Sequence, residues 1–284
     1  MKWTPEKLAK ETSTVSSLPT IYTRLNEAVN DPQSANRDIA NILSDDASLA
    51  ARLLRIANSA FYGFPSKIDT ITRAVTVIGT KQLRDLALAT SVIKLFEGVS
   101  NDFVDMDSFW RHSVACGVAA RILATYRREV NVERFFVSGL LHDIGRLIMC
   151  LKIPEIMGDI FSTANENNQL LYKVERDVLG FNHAEAGGAL LSHWRLPAQT
   201  IYAVSNHHRP MAKNNHQLDS TLVHIADIIS NAMQLGSSGE QFVPPLDTKA
   251  WEQLGLPESI LSPTLTELKR QYMDAIRVIL SDED

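Results

Sequence analysis

Cysteine is scarce in this chain: 284 residues contain two, Cys116 and Cys150, each inside an apolar helical pattern. So low a count excludes a disulfide framework, and both read as small core residues in a protein of the reducing cytoplasm. Long apolar runs are missing too. No stretch approaches the roughly 18–20 residues that cross a bilayer. The opening "MKWTPEKLAKETSTVSSLP" has no apolar core of the kind a signal peptide needs. Nor is there a basic excess. The formal net charge is -5, so no global field draws the chain to nucleic acid. Sustained two-residue alternation, internal repeats and low-complexity tracts are also absent. What remains is ordinary for a globular protein, 45% hydrophobic and 21% charged, and long enough for one large domain or two modest ones.

Nearly every segment carries a helical period, so the fold class expected is all-α. Leu49, Leu53 and Ile56 recur at helical spacing behind an N-cap at Asp45 or Asp46. Ile71, Val75 and Ile78 form the next stripe, closed by Gly79, after which Thr80 caps a helix bearing Leu83, Leu86, Ala87 and Ile93. Residues 108–126, 133–151, 155–168, 170–179, 183–193, 197–207, 218–234 and 262–280 continue the theme. The acidic stretch 97–107, "EGVSNDFVDMD", reads as a link between an N-terminal helical part and the middle. The stretch 236–247, "GSSGEQFVPPLD", reads as a loop before C-terminal helices. In "LLRIANSAFYGFP", Phe61, Tyr62 and Phe64 turn inward around Gly63 as a packed helix end. "AVTVIGTKQLRDLALA" has the outline of a helix-turn-helix, but Lys81 and Arg84 beside Asp85 make no basic stripe, so core packing is the better reading.

The phrase "GLLHDIGRL" (139–147) sets His142 and Asp143 among Leu140, Leu141 and Ile144. Burying either group without a partner costs on the order of 2–7 kcal/mol. A local hydrogen bond or a metal ion would offset that cost. The other histidines cluster in similar phrases: His112 in "FWRHSVACG", His183 in "GFNHAEAGG", and His207 and His208 in "SNHHRP". Asp227 interrupts the apolar "LVHIADII" much as Asp143 does. Ser113, Gly117, Ala184, Gly187, Gly188 and Ala226 are small neighbours that let helices approach closely. Imidazoles and carboxylates spread over several helices of a bundle are how helical proteins build mono- or dinuclear metal centres. Singly, each residue has a plainer reading: His112 as a core histidine, His207 and His208 as a solvated helix end. His193 reads as a helix terminus, His216 as part of the polar loop "KNNHQ", and His224 as the hydrogen-bond partner of Asp227 or a surface residue.

In order and phrasing the chain resembles the HDOD family, the HD-related output domains of bacterial signalling proteins, within the HD superfamily of metal-dependent phosphohydrolases. "ILSDDASLAARLLRIANSAFYG", "AVTVIGTKQLRDLAL", "GLLHDIGRL", "FNHAEAGGALLSHWRLP", "NHHRP" and "VHIADII" carry the resemblance, from about Leu18 to about Asn231. It implies an N-terminal extension (1–17) and an HDOD domain (18–235) made of an N-terminal helical part (18–100) and an HD-like core (105–235). Residues 236–284 follow as a C-terminal loop and helices. It implies a first metal on His112, His142, Asp143 and Asp227, and a second that shares Asp143 as bridging ligand and adds His183 and His207. His208 would serve a further ion or the substrate.

The resemblance also places Arg146 where related phosphodiesterases have a phosphate-binding lysine, and arginine can still bind phosphate bidentately. Two departures weigh against catalysis. The doublet is followed by "RPMAKNNHQ" instead of the "GYP" of cyclic-dinucleotide phosphodiesterases, and Ser108 stands where an acidic ligand can precede the first histidine. The function implied is that of a bacterial signal-transduction output domain with a metal-binding pocket, acting through a protein partner or nucleotide ligand, with neither nucleic acid nor membrane involved. The alternative is a metal-dependent phosphohydrolase acting on a nucleotide or small phosphoester. The cofactor implied is one or two divalent ions of iron, manganese, zinc or magnesium.

Overall fold

A computed structural model describes residues 2–13, 18–59, 61–99, 102–213 and 215–280. Parts of the N-terminal extension (1 and 14–17), of "NSAFYG" (60), of the acidic link (100–101) and of the "KNNHQ" loop (214), with the last four residues, lie outside the described residues. Among the described residues every regular element is helical. No helix there is long and apolar enough to cross a membrane.

The N-terminal part contains α1 (Pro5–Ser13), α2 (Thr20–Asn30), α3 (Asn36–Ser44), α4 (Ala47–Ala57), α5 (Ile71–Ile78) and α6 (Thr80–Leu95). Asp46, the second of the two expected caps, starts α4 by accepting the Leu49 amide at 2.9 Å, and Leu49, Leu53 and Ile56 are buried as their spacing predicts. Gly79 ends α5 in a backbone conformation (φ 104°) that favours glycine. It also stands before the first turn of α6, so Thr80 is the first helical residue and not the cap expected of it. In α6 every residue from Leu83 to Ile93 is buried, because the helix lies between α2, α4 and α5 on one side and the next subdomain on the other. Arg84 spends its guanidinium on Asp85 within the protein (2.7 Å).

The second part is built on α7 (Met106–Tyr126), whose middle is buried all round by α8 (Glu133–Leu141), α14 (Gln217–Ala232) and α16 (Leu261–Ile279). Asp105 caps α7 through the Ser108 amide. The helix expected over 133–151 is broken at its centre into α8 and α9 (Ile144–Lys152). The His142 ring takes the Gly139 carbonyl (2.7 Å), and Asp143 adopts a non-helical conformation (φ -99°, ψ 6°). Then follow α10 (Pro154–Glu166), α11 (Leu171–Leu179), α12 (His183–His193) and α13 (Ala198–Asn206), with α15 (Thr248–Leu254) before α16. Close approach comes from glycine. A Cβ on Gly117 would sit 2.7 Å from the Phe136 carbonyl, and one on Gly145 would sit 1.9 Å from that of His183. The α7–α8 and α9–α12 crossings therefore need glycine at both places.

Candidate metal centre

Three helices and two helix junctions deliver the site. His112 comes from the second turn of α7 and Asp227 from α14, which packs along it. His142 and Asp143 come from the α8–α9 break, which turns two adjacent side chains toward one point. His183 opens α12, started by a capping box in which Asn182 and Glu185 exchange side-chain and main-chain bonds. His207 ends α13, and His208 follows it. His112, His142, His183 and His207 have no exposed surface, Asp143 and Asp227 are 3% and 4% exposed, and His208 is half-buried.

Two donor groups result, each gathered within 4.8 Å: His112, His142 and Asp227 in one, and His183, His207 and His208 in the other. In the first, Asp227 Oδ1 stands 3.2 Å from His112 Nε2 and 3.4 Å from His142 Nε2. In the second, His183 Nε2 stands 3.3 Å from His207 Nε2 and 2.9 Å from His208 Nε2. Asp143 lies between them, with Oδ2 3.3 Å from His142 Nε2 and Oδ1 2.9 Å from His183 Nε2. Its contacts to His112 (4.0 Å) and His207 (3.8 Å) are longer. Around an ion bound at about 2.1 Å, neighbouring ligand atoms sit roughly 3.0–3.4 Å apart, and the six closer pairs here span 2.9–3.4 Å.

Hydrogen bonding turns the right atoms inward. His142 Nδ1 donates to the Gly139 carbonyl (2.7 Å) and His207 Nδ1 to that of Val204 (2.8 Å). In the neutral rings each Nε2 therefore carries a lone pair and meets other acceptors. Such an arrangement is repulsive unless a cation or protons lie between them. His142 Nε2 and both nitrogens of His112 are buried without a hydrogen-bond partner, a state that costs on the order of 1–3 kcal/mol per group. The residues present fit a metal ion.

The carboxylates are held as anions. Burial alone would raise Asp143, but the Arg146 guanidinium and the His142 and His183 rings hold it well below the usual carboxylate range. Asp227 is likewise depressed against its burial by the neighbouring His112 and His142 rings. For His142 burial works downward, yet the Asp143 charge lifts it well above the ordinary imidazole value. Burial, with the neighbouring His142 and His183, pushes His207 down to about 3, and burial with His207 and His183 holds His208 well below the ordinary imidazole value.

Several groups at the site were not legible in sequence. Glu175 of α11, fully buried, accepts from the His183 amide (2.8 Å) and lies 2.6 Å from its Nδ1. Ser238 hydrogen-bonds Asp143 Oδ2 and Arg146. It belongs to the irregular strap 236–247, whose Ser237 is anchored on Ser108. His224 is buried and bonds the His207 carbonyl (2.8 Å) and the Asp247 amide (3.0 Å), so it braces the strap's far end. The partner of Asp227 is Asn231 (2.7 Å). Arg146 does face the centre, but its donors are taken within the protein by Asp143 (3.1 Å), Glu175 (3.4 Å) and Ser238. His193 is exposed and His216 is remote from both groups.

The HDOD domain family model matches residues 15–210, and the chain belongs to that family. A curated relative, an uncharacterized protein of Treponema pallidum (strain Nichols), is 24% identical over 202 residues, which are 71% of this chain and 39% of that one. An HDOD domain protein with unknown function from Geobacter sulfurreducens superposes with a TM-score of 0.78 at 22% identity, covering 97% of this chain and 98% of that one. A candidate phosphohydrolase from Shewanella amazonensis SB2B gives 0.74 at 23% (96% and 97%). A candidate signal transduction protein from Marinobacter aquaeolei VT8 gives 0.74 at 18% (96% and 61%). At these identities the likeness is one of fold.

Proposed function

We propose that this chain is a regulatory module of cytoplasmic signal transduction whose His/Asp centre holds one or two divalent transition-metal ions, and that it acts by binding a protein or nucleotide partner. The observation that carries this reading is enclosure. All of the centre's donors but the half-buried His208 are buried, and Ser238 of the strap lies on Asp143, the carboxylate between the two donor groups. A phosphoester approaching Asp143 from the strap's side would have to displace the strap and break Arg146 from its partners. The imidazole-rich donor set suits zinc, iron or manganese; magnesium, which prefers oxygen shells, fits least. An ion bound here would tie α7, the α8–α9 break, α12, α13 and α14 into one unit.

One observation favours a second reading, a metal-dependent phosphohydrolase. Asp143 offers one oxygen to each group, the arrangement that two-metal hydrolases use to activate water and polarise a phosphoryl oxygen. The two readings part in a direct assay. Protein reconstituted with zinc, iron or manganese is incubated with linear and cyclic nucleotides and with bis(p-nitrophenyl) phosphate. The regulatory reading predicts no turnover above buffer, together with a metal-dependent rise in melting temperature. Metal-dependent turnover abolished by Asp143→Asn would replace it with the hydrolase reading.

A further inference from the structure

The three fully buried histidines whose Nδ1 atoms have hydrogen-bonding neighbours are not held alike. For His142 and His207, Nδ1 faces a backbone carbonyl, Gly139 or Val204, so the main chain itself fixes Nδ1–H and leaves Nε2 bare. The Nδ1 of His183 faces two side chains of opposite character. Glu175 Oε2, an acceptor, is 2.6 Å away, and Arg146 Nη2, a donor only, is 3.0 Å away. Nδ1 cannot serve both, although Arg146 Nη2 is also 3.3 Å from Nε2 and can reach that nitrogen once Nδ1 bonds Glu175.

Each choice has a different consequence at the other nitrogen. If Nδ1 carries the proton and gives it to Glu175, Nε2 presents a lone pair toward Asp143 Oδ1 (2.9 Å), His207 Nε2 (3.3 Å), His208 Nε2 (2.9 Å) and the Arg146 Nη2 donor (3.3 Å). If Nδ1 is bare and accepts from Arg146, Nε2 carries the proton and donates it to Asp143 Oδ1. That hydrogen bond would remove both His183 and one Asp143 oxygen from the second donor group.

We propose that Glu175 is the positioning residue that settles this contest and makes the second donor group competent to hold an ion. The inference rests on the metal-centre reading given above. Glu175 prevails on geometry. Its Oε2 is the nearer neighbour, and the same oxygen also accepts the His183 amide at 2.8 Å, fixing ring and backbone together. Its other oxygen engages Arg146 Nε (3.4 Å) and so occupies the rival guanidinium. No water-exposed surface on Glu175 weakens these bonds. A carboxylate behind a ligating histidine fixes its tautomer and typically changes metal affinity by about 10–100-fold. The first group, on His112, His142 and Asp227, has no contact with Glu175 and does not depend on it.

The test uses the full chain as wild type, Glu175→Gln, His183→Gln and the double variant, each loaded with zinc and analysed for ions per chain. Long-range 1H–15N spectra of the metal-free proteins read the His183 tautomer directly. The expected result is protonated Nδ1 in the wild type and protonated Nε2 in E175Q. With it goes loss of the second ion, through an affinity about 10–100-fold weaker, and a double variant no worse than H183Q. Should E175Q not fold, Arg146→Lys reads the same contest from the other side: Nδ1 stays protonated toward Glu175 and the second ion stays bound. An unchanged tautomer and an undiminished second ion in E175Q would overturn the inference, as would loss of that ion in R146K. A wild type that loads no ion would overturn the metal-centre reading instead, while the tautomer in E175Q would still decide what Glu175 does.

Discussion

At the scale of single residues, the centre is a meeting of lone pairs in a place water does not reach. His207, pushed down to about 3 by burial and by His142 and His183, is neutral at pH 7 and ready to bind metal. His142 is raised by the Asp143 charge against its burial, and His183 is raised by Glu175 and Asp143 against burial and Arg146. Without metal, then, the site holds a proton on His142 that an ion must displace. Calorimetric titration of zinc into the metal-free protein at pH 7, in buffers of different ionisation heat, should show release of about one proton. Affinity should fall as pH falls; buffer-independent heats would contradict the assignment. Stability of the metal-free protein carries both signs. The contribution of His207 is present above the unfolded value near 6.5 and lost as pH falls toward about 3. That of His142 is present below about 6.5 and lost as pH rises through its raised value.

The residues that a sequence displays are those with unusual chemistry in an apolar context, which is why His142, Asp143 and Asp227 stand out. Glu175 hides in "YKVERDVLG", which reads as an ordinary solvated helix face. The one signal was its place at i+4 from Leu171 and beside Val174, on the stripe that the structure buries. Ser238, a loop serine among glycines, carried no signal at all.

Among the elements, the break between α8 and α9 matters most. A continuous helix would send residues 142 and 143 in directions about 100° apart; the break directs both into one centre. Periodicity alone runs through it unbroken, because apolar residues continue at helical spacing on both sides. It also missed α1, α2, α3 and α15, which are short and bury few residues each. Just past the break, Gly145 lets α9 touch α12 at backbone distance. A Cβ there would meet the His183 carbonyl at 1.9 Å and the Gly187 amide at 2.4 Å, and backbone cannot swing aside as a side chain can. Gly145→Ala should therefore cost at least about 3 kcal/mol by overpacking and should shift His183. Chemical denaturation measures the first effect, and retention of wild-type stability would refute the crossing described here.

At the scale of the whole molecule, the centre is where distant parts of the chain converge. The N-terminal helices pack on its scaffold, α1 against α9 and α12 and α6 against α8. The strap leads from α14 past Ser108, Asp143 and His224 to α15 and α16, and α16 returns to α7, the helix that carries His112. A metal at this junction would couple the arrangement of the C-terminal helices to occupancy of the site, as the proposed regulatory reading requires. The most direct test is elemental analysis of full-length protein purified without chelator or histidine tag, beside Asp143→Asn and His142→Ala. The account predicts about one to two transition-metal ions per wild-type chain and a marked loss in both variants. Protein that stays free of metal after reconstitution with zinc, iron and manganese would contradict it.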